Sequence, residues 1–160
     1  MTLAFTVYGV AESKGSMRAY TPKGMRFPVV TDSNRNVRSW QQLIAEGASK
    51  ALMQLPAAER KLVTGGVHCE VAFFLPRPKD LHRPKYRGVE VAHTKAPDID
   101  KLTRAVLDAL TSVLWVDDAQ VVELFAFKRY TAVGEPARVD VAVRPSLVAL
   151  PMFGAVQAEA

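Results

Sequence analysis

The chain has 160 residues, of which 49% are hydrophobic and 23% charged; this is enough apolar material for one globular domain and excludes an intrinsically disordered protein. No apolar run reaches the roughly 18 residues that a membrane-spanning helix needs, and the N-terminal segment lacks the basic start of a signal peptide. The single cysteine, Cys69, excludes an internal disulfide framework and a cysteine-rich zinc site. We therefore predict a single domain over residues 1–160, in the cytoplasm and without a membrane partner.

The net charge of +5 is distributed unevenly along the chain. Residues 1–40 and 76–96 are strongly basic, whereas residues 97–160 carry more acids than bases. One interpretation is a solvated surface, and the other is a polyanionic partner held by the basic segments. Charge alone does not decide between them.

Hydrophobic periodicity and turn residues divide the chain into alternating elements. In chain order the predictions are a strand at 3–9, a loop at 11–36 with a short strand at 26–30, a helix at 37–54 capped by Ser33 or Asn36, a strand at 67–75, a basic loop at 76–97 too polar to pack, a helix at 99–114, and strands at 119–131 and 137–145. This order predicts one α/β domain with a mixed sheet of about four strands and two main helices. Trp40 and Trp115 are expected in the core, and residues 146–160 form a C-terminal tail of unknown role.

The predicted second helix has an apolar face and an acidic start. Its apolar positions recur at helical spacing, and they are Ile99, Leu102, Val106, Ala109, Leu110 and Val113. Pro97 suits the position before a helix, so Asp98 is a natural N-cap, and Asp100 faces the positive end of the helix dipole. On its own, this pattern is ordinary for the start of a helix.

A second acidic pair, Asp117 and Asp118, follows the helix. It meets the first pair only if the sheet brings the chain back, for which the strand after Asp118 would run antiparallel to the helix. Carboxylates that converge repel one another and stay ionised only around a cation, and oxygen ligands of this kind suit Mg²⁺ or Mn²⁺. In a basic protein, such a cluster is typical of phosphodiester cleavage.

The stretch "PDIDKLTRAVLDALTSVLWVDDAQVV", residues 97–122, resembles the signature of the RusA-type crossover-junction endodeoxyribonucleases. These are Holliday-junction resolvases, often carried by phages and prophages. Their pattern is D-x-D-N, a basic residue four positions after the second Asp, L-D-A-L, and then a D-D-A-Q-V run. A weaker similarity covers residues 8–24, "YGVAESKGSMRAYTPKG". The resemblance implies a RusA-like fold.

The resemblance also implies roles for the acidic residues. Asp98, Asp100 and Asp118 match the essential carboxylates that bind Mg²⁺, with Mn²⁺ as a possible substitute, and no nucleotide cofactor is expected. Asp117 matches a secondary acid. Arg104 stands where the family usually has a catalytic Lys; because Arg stays protonated, it can stabilise charge but cannot act as a general acid. Lys101 replaces an Asn, and it either adds a phosphate contact or pairs with Asp98.

The basic segments are then interpreted as DNA-binding, against the alternative of solvated side chains. The predicted contacts are Lys14, Ser16, Arg18, Lys95, Lys101, Arg77, Lys79, Arg83 and Lys85. The predicted activity is Mg²⁺-dependent cleavage of branched DNA, the Holliday junction, by a homodimer, since paired cuts need two sites related by a twofold axis. Two alternatives remain open: a non-catalytic junction-binding protein whose site is spoiled by Arg104 and Lys101, and a metal-dependent nuclease or phosphatase that acts on other substrates.

Overall fold

A computed structural model describes residues 2–15, 17–32 and 34–147. Its strands and α-helices are, in chain order, β1 (Leu3–Tyr8), β2 (Met17–Tyr20), β3 (Val29–Asp32), α1 (Val37–Gln54), β4 (Val67–Leu75), α2 (Ile99–Leu110), β5 (Val121–Tyr130) and β6 (Arg138–Pro145). The main sheet has the order β1-β6-β4-β5, with β4 and β5 parallel and the other neighbours antiparallel. The predicted α/β domain, with a mixed four-stranded sheet and two helices, is confirmed. None of the described helices is long and apolar enough to cross a membrane.

The core lies between one face of this sheet and the two helices. Strand β4 buries every second side chain, as a strand covered on one face should, and these are Val67, Cys69, Val71, Phe73 and Leu75. Helix α1 adds Trp40, which is 3% exposed as predicted, and it approaches β1 so closely that a Cβ at Gly47 would lie 2.8 Å from the Val7 side chain. Burial raises the pKa of Cys69 to about 12, aided by the charges of Glu70 and Asp118, so this thiol is not a nucleophile.

Three local predictions need correction. Helix α2 ends at Leu110 and not at residue 114, because Ser112 adopts a positive φ of 65° and its amide donates to the Trp115 carbonyl, which turns the chain. The short strand predicted at 26–30 lies at Val29–Asp32 (β3), and it pairs with β2, which was not predicted. The basic loop is not too polar to pack, since Ala92 forms a bridge with Arg129 of β5 and His93 is buried.

The β4–α2–β5 connection decides where the acidic residues lie. Since β4 and β5 are parallel neighbours, the intervening helix runs back antiparallel to them. The start of α2, with Asp98 and Asp100, therefore lies near the end of β5, and Asp118 lies at the start of β5. The C-terminal tail prediction falls largely outside the described residues, apart from residues 146 and 147.

Candidate active site

The first acidic pair is exposed at the N-terminus of α2. Asp98 occupies the N-cap as predicted, but its side chain makes no capping hydrogen bond. Its carboxylate accepts a hydrogen bond from Lys101 Nζ at 2.8 Å, and this bond together with the Lys101 charge holds the pKa of Asp98 below its usual range. Helix capping thus does not account for this carboxylate. Asp100 lies two positions further on, in the first turn, and is also exposed.

The two residues of the second acidic pair make different contacts. Asp117 caps a short 3-10 helix, Asp118–Gln120: its carboxylate accepts from the Ala119 amide at 2.8 Å, and the Gln120 side chain accepts from the Asp117 amide at 3.2 Å. Asp118 is half-buried, and its Oδ1 accepts from Trp115 Nε1 at 3.0 Å and from the Thr111 hydroxyl. Both donors approach the same oxygen, so the Asp118 side chain is oriented while its Oδ2 has no donor among the described residues.

The two acidic pairs do not meet within one chain. Helix α2 has 12 residues and so rises about 18 Å; the first pair lies at its N-terminus, and the second pair lies beyond its C-terminus. No group of three His, Cys, Asp or Glu side chains that could hold a metal occurs in the described part of the chain. The expected convergence of Asp98, Asp100 and Asp118 through the sheet is therefore wrong for a single chain. The antiparallel course of β5 was expected, but Asp118 precedes that strand and stays near the helix C-terminus.

A groove between α2 and β5 begins at the first acidic pair. It has a volume of about 430 Å³ and is lined by Ile99, Asp100, Thr103, Arg104, Leu107, Leu124 and Ala126. Arg104 is exposed one turn after Asp100, and no hydrogen bond or ion pair to its side chain occurs among the described residues. The groove therefore combines a carboxylate and an available guanidinium with an apolar floor.

Comparison with known proteins identifies the family of this chain. The family model for endodeoxyribonuclease RusA matches residues 11–144, which include both acidic pairs, Arg104 and the main sheet apart from β1 and the last residue of β6. The chain belongs to the RusA endodeoxyribonuclease family. It is also 29% identical over 150 residues, 89% of this chain and 95% of its relative, to the uncharacterized protein YqaN of Bacillus subtilis (strain 168). Membership makes the chain one of a family of DNA-cleaving hydrolases, and the matched range includes the acidic residues at both ends of α2.

Two of the predicted DNA contacts are engaged inside this RusA-family domain. The ammonium of Lys14 pairs with Asp108 of α2, and the Lys14 amide donates to the Lys101 carbonyl at 3.1 Å. Arg77 donates to four backbone carbonyls, those of Thr131, Leu81, Tyr86 and Val89, at 2.7–3.3 Å. These contacts give both side chains a structural role, and their role in DNA binding stays a prediction.

The remaining predicted contacts lie on exposed segments. Lys79, Arg83 and Lys85 are exposed on the basic loop, and Lys85 Nζ lies 4.9 Å from the centre of the Tyr86 ring. Lys95 is exposed three residues before the first acidic pair, and Lys101 is bonded to Asp98. Arg18 lies in β2, and Ser16 falls outside the described residues.

Two polar residues near the acidic pairs were not among the predicted site residues. Lys128 of β5 donates to the carbonyls of Lys95 and Pro97, directly before Asp98. Its signal in the sequence is a lysine in phase with Leu124 and Ala126, which places it on the helix-covered face of the strand. Thr111 orients Asp118, but nothing in its sequence context distinguishes it from other residues at a helix end.

Proposed function

We propose that the protein is a Mg²⁺-dependent endonuclease that cuts four-way DNA junctions as a homodimer. In each active site, Asp98 and Asp100 come from one copy and Asp118 from the other. The observation that carries this proposal is the placement of the two groups at opposite ends of α2, each exposed or half-buried and neither with a side chain that donates to or accepts a capping hydrogen bond of that helix.

A twofold axis across the middle of α2 would bring the first acidic pair of one copy next to the second acidic pair of the other copy. It would set two antiparallel copies of α2 side by side, with the N-terminus of each beside the C-terminus of the other. The groove next to α2 supports this contact, because β5 is an edge strand whose Leu124 is 49% exposed there. Burial of this apolar surface would contribute to dimer stability.

The donor set fits a divalent cation rather than a softer metal. Carboxylate oxygens suit Mg²⁺, and Mn²⁺ accepts the same ligands. Such an ion would polarise the scissile phosphate and activate a water molecule for its hydrolysis. Arg104, exposed next to Asp100, is placed to stabilise negative charge that develops on the phosphate.

A non-catalytic junction-binding protein is the second candidate, and the Lys101–Asp98 ion pair favours it. An ammonium at 2.8 Å occupies a carboxylate that the metal would need. However, the two side chains are 49% and 58% exposed, so solvent screens the pair, and a divalent ion can compete for Asp98. Incubation with a four-way junction, a linear duplex and a flap, each with and without Mg²⁺, separates a junction resolvase from this candidate and from a nuclease of other specificity.

Subunit mixing tests where the active site lies. Asp100→Asn and Asp118→Asn are each expected to be inactive as homodimers. In a mixed dimer, both changes fall in the same composite site, so the other site has all three carboxylates and should nick one strand of the junction. If every site lay within one chain, each site of the mixed dimer would carry one change, and the mixture would stay inactive.

A heterodimer of wild type and Asp118→Asn, purified through a different affinity tag on each chain, serves as the control, because both arrangements predict one intact site in it; the Asp100→Asn/Asp118→Asn heterodimer is purified in the same way. An inactive Asp100→Asn/Asp118→Asn mixture beside an active control contradicts the shared site alone. A wild-type protein that cuts none of the DNA substrates in Mg²⁺ contradicts the proposed enzyme function.

A further inference from the structure

Lys128 is a lysine on the covered face of the sheet, directly beneath the start of α2. It is half-buried on β5, opposite Phe73 of β4, and points to the same side as the buried Tyr130. Its Nζ donates to the Lys95 carbonyl at 2.7 Å and to the Pro97 carbonyl at 2.6 Å. These are short, charge-assisted hydrogen bonds to two of the three residues before Asp98.

The segment before α2 uses β5 as its base. The Tyr130 amide donates to the Val91 carbonyl at 3.1 Å, and Ala92 forms an antiparallel bridge with Arg129, so this segment runs along the free edge of β5. From residue 94 to residue 97, the described hydrogen bonds that join the segment to the sheet are the two from Lys128. The position of Asp98 relative to the sheet therefore depends on this side chain.

A lysine is an electrostatically unfavourable choice at this position. The N-terminus of α2 carries the positive end of the helix dipole, which repels an ammonium group. The two carbonyls and the nearby Asp98 offset that cost, and the Lys128 charge adds a small contribution to the lowered pKa of Asp98, after the larger one from Lys101. A methionine of similar length would fill the space without that cost, so packing does not explain the lysine.

We propose that Lys128 is a positioning residue for the metal site: it ties the chain before α2 to β5 and so fixes where Asp98 and Asp100 present their carboxylates. This inference rests on the proposed function, because the position of these carboxylates matters for catalysis only if they bind a divalent ion. It goes beyond that function in assigning the orientation of the acidic pair to a side chain outside the acidic signature.

The direction in which Lys128→Met changes the affinity for Mn²⁺ tests the proposal. Positioning predicts that Lys128→Met weakens Mn²⁺ binding by about 10-fold or more, as for other residues that orient metal ligands. A lysine that acts only through its charge predicts the opposite, since removal of a positive charge should tighten the binding of a cation. Mn²⁺ titration of the DNA-free protein, followed by electron paramagnetic resonance, measures this affinity directly.

Lys50→Met is the matched control, because it removes one exposed lysine from α1 that makes no described contact with the acidic pairs, and it should bind Mn²⁺ as the wild type does. Hydrogen exchange of the Leu102 amide, which donates to the Asp98 carbonyl at the start of α2, provides a second readout, and Lys128→Met should make it faster. A folded Lys128→Met protein that binds Mn²⁺ equally or more tightly than the wild type overturns the proposal.

If Lys128→Met does not fold, Lys128→Arg tests the same positioning role, because the larger guanidinium must displace the two carbonyls that Lys128 binds. A Mn²⁺ affinity within about twofold of wild type, well below the positioning effect, would then overturn the proposal. A wild-type protein that neither binds Mn²⁺ nor cuts DNA contradicts the proposed function itself, and the inference fails with it. Normal cleavage and Mn²⁺ binding by both wild type and Lys128→Met would contradict the inference alone.

Discussion

Replacement of Arg77 by methionine should destabilise the protein, because this guanidinium organises the basic loop. Its four acceptors are backbone carbonyls, three of them within that loop and one just after β5, and the two shortest contacts are to Thr131 at 2.7 Å and to Val89 at 2.9 Å. Methionine retains much of the aliphatic stem but donates to none of them. In the variant, these carbonyls would lose the hydrogen bond from Arg77, and any carbonyl that stays shielded from water would then lack a donor.

The expected loss follows from the two short bonds. A hydrogen bond from a charged donor contributes about 1.5–3 kcal/mol when it is buried, and solvent reduces this for a half-buried side chain. With the two longer bonds counted as weak, we expect Arg77→Met to lower the free energy of unfolding by about 2–3 kcal/mol. Urea denaturation measures this change, and added salt should alter it little because the acceptors are uncharged.

Lys79→Met is the matched control, since it removes one positive charge from the same loop but no described side-chain hydrogen bond. We expect a change within about 0.5 kcal/mol for this exposed position. The reasoning is refuted if Arg77→Met changes stability no more than Lys79→Met does. If Arg77→Met leaves stability unchanged but lowers the salt slope of junction binding by about 1 unit, Arg77 is a phosphate contact and not a structural residue.

Three further predictions concern the site and its surroundings. If Arg104 stabilises charge on the phosphate, Arg104→Lys should keep most of the cleavage rate and Arg104→Ala should lose on the order of 10²-fold; equal junction-cleavage rates for all three proteins would exclude position 104 from the active site. Burial, and then the Lys128 charge, lower the pKa of His93 below its ordinary 6.5, so the unfolded chain takes up a proton first as the pH falls. The free energy of unfolding should therefore decrease on acidification from about pH 7 to pH 5, and urea titrations should find a flatter profile for His93→Phe, which keeps a ring beside Tyr130. Lys95→Ala should weaken junction binding and lower its salt slope by about 1 unit, whereas the Lys14 ammonium is already paired with Asp108, so Lys14→Ala should change the slope less; equal slopes for Lys95→Ala and wild type would return Lys95 to the solvated surface.

The sequence by itself determined most of the elements and the family. Period-two burial in β4 and the apolar face of α2 are local patterns, because each depends on the geometry of one element and a single covered face. The acidic signature was equally readable, since it consists of residue types at fixed spacing. Asp98 at the N-cap follows from Pro97 and from the start of the helical periodicity.

Only the tertiary structure decided how these residues combine. The parallel pairing of β4 with β5 sends α2 back along the sheet and leaves Asp118 at the helix end opposite Asp98. Strand pairing depends on contacts between residues far apart in the chain, and no local pattern specifies it. For the same reason, the sequence predicted Arg77 only as a DNA contact and did not single out Lys128, whereas the fold places backbone carbonyls around both.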